Sequence, residues 1–288
     1  MTKEREQELV EMVGRRYEGA EVSIVEVSEP DGMKRGIQIL EKGNCVAPVI
    51  YFSTFEDLST EEMADKIVKI NEENRITNFD MNWYRDFDKV KSLVKMRLVN
   101  TKWSEKYLEG KTSIPLNDLS ILFCVKVNDP RLGGNAWVIV TEEHRKQWGV
   151  TLEQLEEAAR ANMNEPVLKG MFSTLMELSP IAGVTLPDDE IPEEMDNDML
   201  VLSNREKVNG AGYLPVMLDR LAERFGEFFV LPSSQHEVLI VPKKVADERG
   251  MTKEVLDEMV RGITQFEVDP SERLSDHAYH FVNGELLD

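Results

Sequence analysis

Apolar positions along the chain change period several times, and each change predicts an element. Residues 2–17 read as an amphipathic helix with Leu9, Val10 and Val13 on one face and Gly19 as the stop. Val22, Ile24 and Val27 then alternate as a strand. Asp31-Gly32 is a turn signal, and Arg35–Leu40 returns as a second strand. Val46–Phe52 is a third apolar run, with Pro48 marking it as an edge or irregular strand. Ser59 and Glu62 have capping-box spacing and open a helix carrying Met63, Ile67 and Ile70. Phe87–Val99 repeats the helical period through Val90, Leu93, Val94 and Leu98, with Lys89, Lys91, Lys95 and Arg97 on its polar side.

In the second half, Asp118–Val127 predicts a buried strand and Ala136–Val140 its partner. Short helices follow at 141–148 and, behind a Thr151/Gln154 capping box, at 151–162. Residues 166–178 read as a Met-rich helix or an irregular segment. Met199–Ser203 is a strand, and 204–212 is a loop. Pro215 opens a helix that Gly226 closes, and EFFVLP and EVLIVP are strands joined by residues 233–236. Residues 252–263 form a last helix. Hairpin-like strand pairs with helices grouped between them predict an α+β fold with mostly antiparallel sheets. Two subdomains are expected, 1–112 and 113–288.

Charge adds one feature. The chain of 288 residues has 54 acidic and 34 basic side chains, a formal charge of −20. Residues 151–200 alone contribute −10, mostly from the stretch 187–198, which has seven acids and two prolines. It predicts a solvated acidic linker, with Asp188, Asp189, Glu190, Glu193 and Glu194 as candidate contacts for a basic partner. This balance weighs against general nucleic-acid binding. No apolar run is long enough to span a membrane, and the charged first residues lack a signal-like apolar region, so a cytoplasmic location is expected. Cys45 and Cys124 are too few for a disulfide framework or a zinc cage.

No dinucleotide, P-loop or zincin fingerprint is present, so no cofactor is expected. His277 and His280 lie in an extended-looking stretch, where positions three apart face opposite sides, so no metal site is expected from that pair. Two loops concentrate polar chemistry. Ser233, Ser234, His236 and Glu237 offer a hydroxyl, an imidazole and a carboxylate, the groups of a hydrolase. They are adjacent in sequence, without the usual nucleophile elbow, which favours ordinary turn chemistry. Asn204, Lys207, Asn209 and Gly210 form a strand-to-helix loop suited to a small polar ligand.

The run LSNREKVNGAGYLPVMLDRLAERFGEFFVLPSSQHEVLIVP resembles the signature of an uncharacterised bacterial domain-of-unknown-function family. VAPVIYF, KVKSLVKMRLVN, DLSILFCVKV, EEHRKQWGVTLEQLEEAARAN and LSDHAYHF resemble it in the same order, from about Val46 onward. The resemblance implies a protein of gut-type Gram-positive bacteria, often carried on mobile elements, and brings no activity with it. The residues alone point first to a non-enzymatic binding or regulatory protein acting on a protein partner. One form of it is an acidic inhibitor of a basic nucleic-acid-binding protein. The alternative is a hydrolase-like enzyme with a pocket between the 204–212 and 233–237 loops.

Overall fold

The computed structural model describes residues 1–44, 46–55, 57–76, 79–132, 136–182 and 196–288. Helix α1 (Lys3–Gly14) is capped by Thr2. It packs with α2 (Thr60–Glu73) over an antiparallel sheet of β1 (Glu21–Glu29), β2 (Gly32–Leu40) and β3 (Val49–Tyr51). The expected Ser59/Glu62 capping box forms, each side chain meeting the other's backbone N–H. Leu9, Val13, Ile37, Ile39, Met63 and Ile67 make a cluster of their own.

A second sheet begins with β4 (Val94–Asn100). It pairs along its whole length with β6 (Leu119–Val127); β5 (Ser113–Leu116) and β7 (Ala136–Ile139) share β6's other edge. The helix expected over 87–99 is therefore corrected. Only α3 (Phe87–Val90) is helical, and a 3-10 turn at 91–93 leads into the strand. Val94, Met96 and Leu98 also fit a period of two, and pairing with the apolar β6 selects it over the local helical period. This dissolves the basic helix face. Lys89 and Lys91 pair with Asp86 and Asp88, and Lys95 donates to the Asn162 carbonyl. The boundary expected at 112/113 falls inside this sheet, between β4 and its partner β6. The separate apolar cluster instead ends near Ile70.

After α4 (Glu105–Leu108), α5 (Glu142–Trp148) and α6 (Leu152–Asn162), a six-stranded antiparallel sheet forms in the order β13-β12-β10-β11-β9-β8. Its strands are β8 (Val167–Gly170), β9 (Leu200–Ser203), β10 (Phe228–Leu231), β11 (Val238–Pro242), β12 (Tyr279–Val282) and β13 (Glu285–Leu287). Both faces are covered. Leu200, Leu202, Phe228, Val230, Val238 and Ile240 join the core that contains β4, β6, α6 and α8 (Leu214–Phe225). Val201, Phe229, Leu231, Leu239 and Val241 point the other way, against α9 (Lys243–Arg249) and α10 (Lys253–Phe266). Burial on both sides explains why EFFVLP and EVLIVP show no polar alternation.

Helix α7 (Met171–Ala182) leaves the edge strand β8, and the chain is back in the same sheet at Leu200, where β9 pairs with β8. The strands on either side of this connection, β8 and β9, are thus paired neighbours in one sheet. Asp188, Asp189, Glu190, Glu193 and Glu194 lie outside the described residues.

Candidate functional site

The two polar loops meet. Ser203 ends β9, and its hydroxyl donates to the His236 carbonyl at 2.9 Å. Asn204 closes its own loop, donating to the Val208 carbonyl at 2.7 Å and accepting from the Val208 N–H at 3.3 Å. Lys207 and Asn209 adopt left-handed backbone, each at φ 54°. Gly210 is required by close approach: a Cβ there would stand 2.3 Å from the His236 carbonyl oxygen and 2.5 Å from Ser203 Oγ. The Ala211 N–H donates to the Gln235 carbonyl at 3.1 Å, completing the seam between the loops.

Within the turn, Ser234 Oγ accepts from the His236 N–H at 3.1 Å and donates to Glu237 at 3.4 Å. His236 Nδ1 accepts from the Asn209 N–H at 3.4 Å, which places the ring proton of a neutral imidazole on Nε2. Nε2 meets Glu272 at 3.0 Å. The imidazole thus faces Asn209 and Glu272, and neither the Ser233 nor the Ser234 hydroxyl bonds to it.

Ser233, Asn204, Lys207 and Glu237 converge elsewhere, on one cavity of about 220 Å³. Its remaining wall is mostly apolar: Met171 and Leu175 from α7, Val201 and Leu239 from the sheet, Ile263 from α10. Lys169 pairs with Glu177 at its rim. The hydrogen bond from Lys169, followed by its charge and that of Lys207, holds the Glu177 carboxyl below its usual range. Ser234, His236, Asn209 and Gly210 shape the loops behind the cavity and do not line it.

Asn209 and Asn204 also border a second cavity of about 90 Å³ on the other side of their loop, with Lys95, Lys126 and Trp137. Lys126 is tied to Glu206 at 2.6 Å, and burial holds the Lys95 ammonium below its usual value. Sequence reasoning missed the α7 and α10 wall. Its signal was the Met-rich apolar run at 171–176, ambiguous because it borders a strand.

His277 and His280 diverge, as an extended segment requires. His280 stacks on Phe229 with centroids 4.7 Å apart and meets Glu227 at 3.1 Å, while His277 turns toward the β5–β6 turn. Cys124 is fully buried in β6, and burial pushes its thiol up to about 12, which removes it as a nucleophile near neutrality. Among the described residues, no helix is long and apolar enough to cross a membrane.

Neither a curated protein nor a solved structure matches the chain. A family model does match, over residues 2–283, nearly the full length, and the chain belongs to the family that it describes, a family of unknown function (DUF5688).

Proposed function

We infer that the protein is a non-enzymatic binding protein whose ligand is a small amphipathic molecule held in the cavity beneath α7. The observation that carries this is the convergence of Ser233, Asn204, Lys207 and Glu237, from two separate loops, on a cavity whose other lining combines apolar side chains with the Lys169–Glu177 pair. Small-molecule sites have this make-up, an apolar body with a few polar groups that fix orientation. A volume of about 220 Å³ lies below that of drug-sized sites and fits a metabolite. Lys207 and Ser233 suit a carboxylate, and Glu237 suits an ammonium, so a free apolar amino acid answers both charges.

Binding is favoured over hydrolysis because His236 is engaged by Asn209 and Glu272 rather than by either serine. A protein partner fits the same reading, as does a cytoplasmic location. Helix α7 walls the cavity and exposes Phe172, so ligand occupancy and a protein contact would share one helix.

Calorimetric titration with leucine, methionine and phenylalanine, beside octanoate and an alkylamine, tests the assignment. Saturable binding of an amino acid, weakened by Lys207→Ala and abolished by Leu175→Trp, is expected. Leu175 is 41% exposed, so the larger ring fills the cavity without entering the core. No saturable binding, or binding indifferent to Leu175→Trp, overturns it.

A further inference from the structure

The segment LSDHAYHF brings His277 against two carboxylates from distant parts of the chain. Asp118 lies in the β5–β6 turn, and Asp288 follows β13. One ligand-type atom from each of Asp118, His277 and Asp288 lies within 4.8 Å of the others. We propose that these three side chains bind a divalent transition-metal ion, with zinc as the ion of first choice.

His277 Nδ1 is 3.0 Å from Asp276 Oδ1, which can only accept, and 3.2 Å from Ser275 Oγ, which donates its own proton to the His277 carbonyl, so Nδ1 carries the ring proton. The Nε2 of a neutral ring is then a bare acceptor. That nitrogen is buried and has no hydrogen-bond partner. It faces Asp118 and Asp288, which are acceptors too. No Lys or Arg stands within ion-pair distance of either carboxylate among the described residues, so a cation is what the arrangement lacks.

An imidazolium proton is a poor substitute. Nε2 and Asp288 Oδ1 are 3.5 Å apart, longer than the roughly 2.7–2.9 Å of a charge-assisted hydrogen bond. Two ligands about 2.0–2.1 Å from one tetrahedral ion stand about 3.3 Å from each other, close to the 3.5 Å between Nε2 and Asp288 Oδ1. One imidazole with two carboxylates suits zinc or a neighbouring transition ion better than calcium or magnesium, which take oxygen alone.

Each ligand is also held from behind. Tyr279 donates its hydroxyl to Asp118, Asn117 donates to Asp288 at 2.8 Å, and Asp276 orients His277. Outer partners of this kind fix ligand orientation in metal sites. Three protein ligands leave a position for water. The ion would pin the β5–β6 turn to both strands at one edge of the six-stranded sheet.

The test is titration of chelator-treated full-length protein with Co²⁺, read by its visible absorption, and then with Zn²⁺ in competition with a chromophoric chelator. One saturable equivalent is expected, with a rise in Tm. His277→Gln is expected to weaken binding by roughly 100-fold, and Asn117→Ala by roughly 10-fold, the effect of losing an outer partner. Asp288→Ala, at an exposed position, replaces His277→Gln if that variant does not fold. Absence of saturable binding overturns the proposal. So does weak binding at several equivalents that Ca²⁺ displaces or that none of these substitutions alters, which identifies the acidic surface as the binder.

Discussion

At the residue scale, two glycines make opposite demands. The Gly210 Cβ position is filled by backbone and by Ser203, neither of which can yield without opening the seam between the two loops. Gly210→Ala is expected to cost about 1–3 kcal/mol in denaturant unfolding and to weaken ligand binding. Gly262, inside α10, has nothing within 4 Å of its Cβ position, so Gly262→Ala should stabilise by about 0.5–1 kcal/mol through helix propensity. Cys124 sets a third expectation. In a Cys45→Ser background, folded protein at pH 8 should release no thiolate to a disulfide reagent until denatured. Sequence alone brought Ser233, Asn204, Lys207 and Glu237 forward as polar side chains on loops joining strands. It did not separate them from Ser234 and His236. That separation depends on which way each side chain leaves the turn, a matter decided by the Glu272 and Asn209 contacts.

At the element scale, α5 has a capping box with an imidazole in place of the usual Glu or Gln. Thr141 Oγ accepts from the His144 N–H, and His144 Nδ1 accepts from the Thr141 N–H, each at 3.2 Å. The Tyr84 hydroxyl reaches the same nitrogen at 3.1 Å. Burial holds the His144 pKa below its ordinary value, against the opposing charge of Glu143. A group with a depressed folded pKa contributes stability above its unfolded pKa and loses it as pH falls. Stability should therefore decline below about pH 6.5, and His144→Gln, which keeps an acceptor, should flatten that decline. The Thr-x-x-Gln and Ser-x-x-Glu boxes were legible because they are local. The helix expected over 87–99 failed for the complementary reason. VKMRLVN fits both periods, and only its distant partner β6 decides between them. In the tail, β12 showed only as an extended-looking stretch and β13 was not read, since their apolar residues are explained by a sheet assembled from the whole second half.

At the scale of the molecule, the apolar interior is not continuous. Residues 9–70 hold one cluster, and the core built on the two larger sheets is another; the Ser104 hydroxyl bonded to the Pro30 carbonyl is one of the ties between them. Calorimetry should resolve two transitions. Leu9→Ala, removing a fully buried side chain, should lower one of them by about 2–5 kcal/mol, and Phe228→Ala should lower the other. Alkali should act on both units, since burial and the hydrogen bond to Glu29 push Tyr51 of β3 up to about 12. The buried Cys124 titrates at about 12 against an ordinary 9.0, and burial also raises Tyr84 and Tyr279. Groups whose folded pKa is raised contribute stability below the unfolded value. It should therefore hold to about pH 9 and be lost as pH climbs toward 12.

The excursion between β8 and β9 has a different consequence, which concerns how the chain can vary. Its two ends are fixed neighbours, with Gly170 opposite Leu200 and Val167 opposite Ser203, whatever length of chain separates them. Closing a longer connection is cheap, about 0.6 kcal/mol for each doubling of a loop's length. Helix α7 must remain, because it walls the cavity, whereas the β8–β9 register rests on pairing between the strands themselves and so does not set the length of the connection. Length there can drift between related chains while the strand pairing stays fixed.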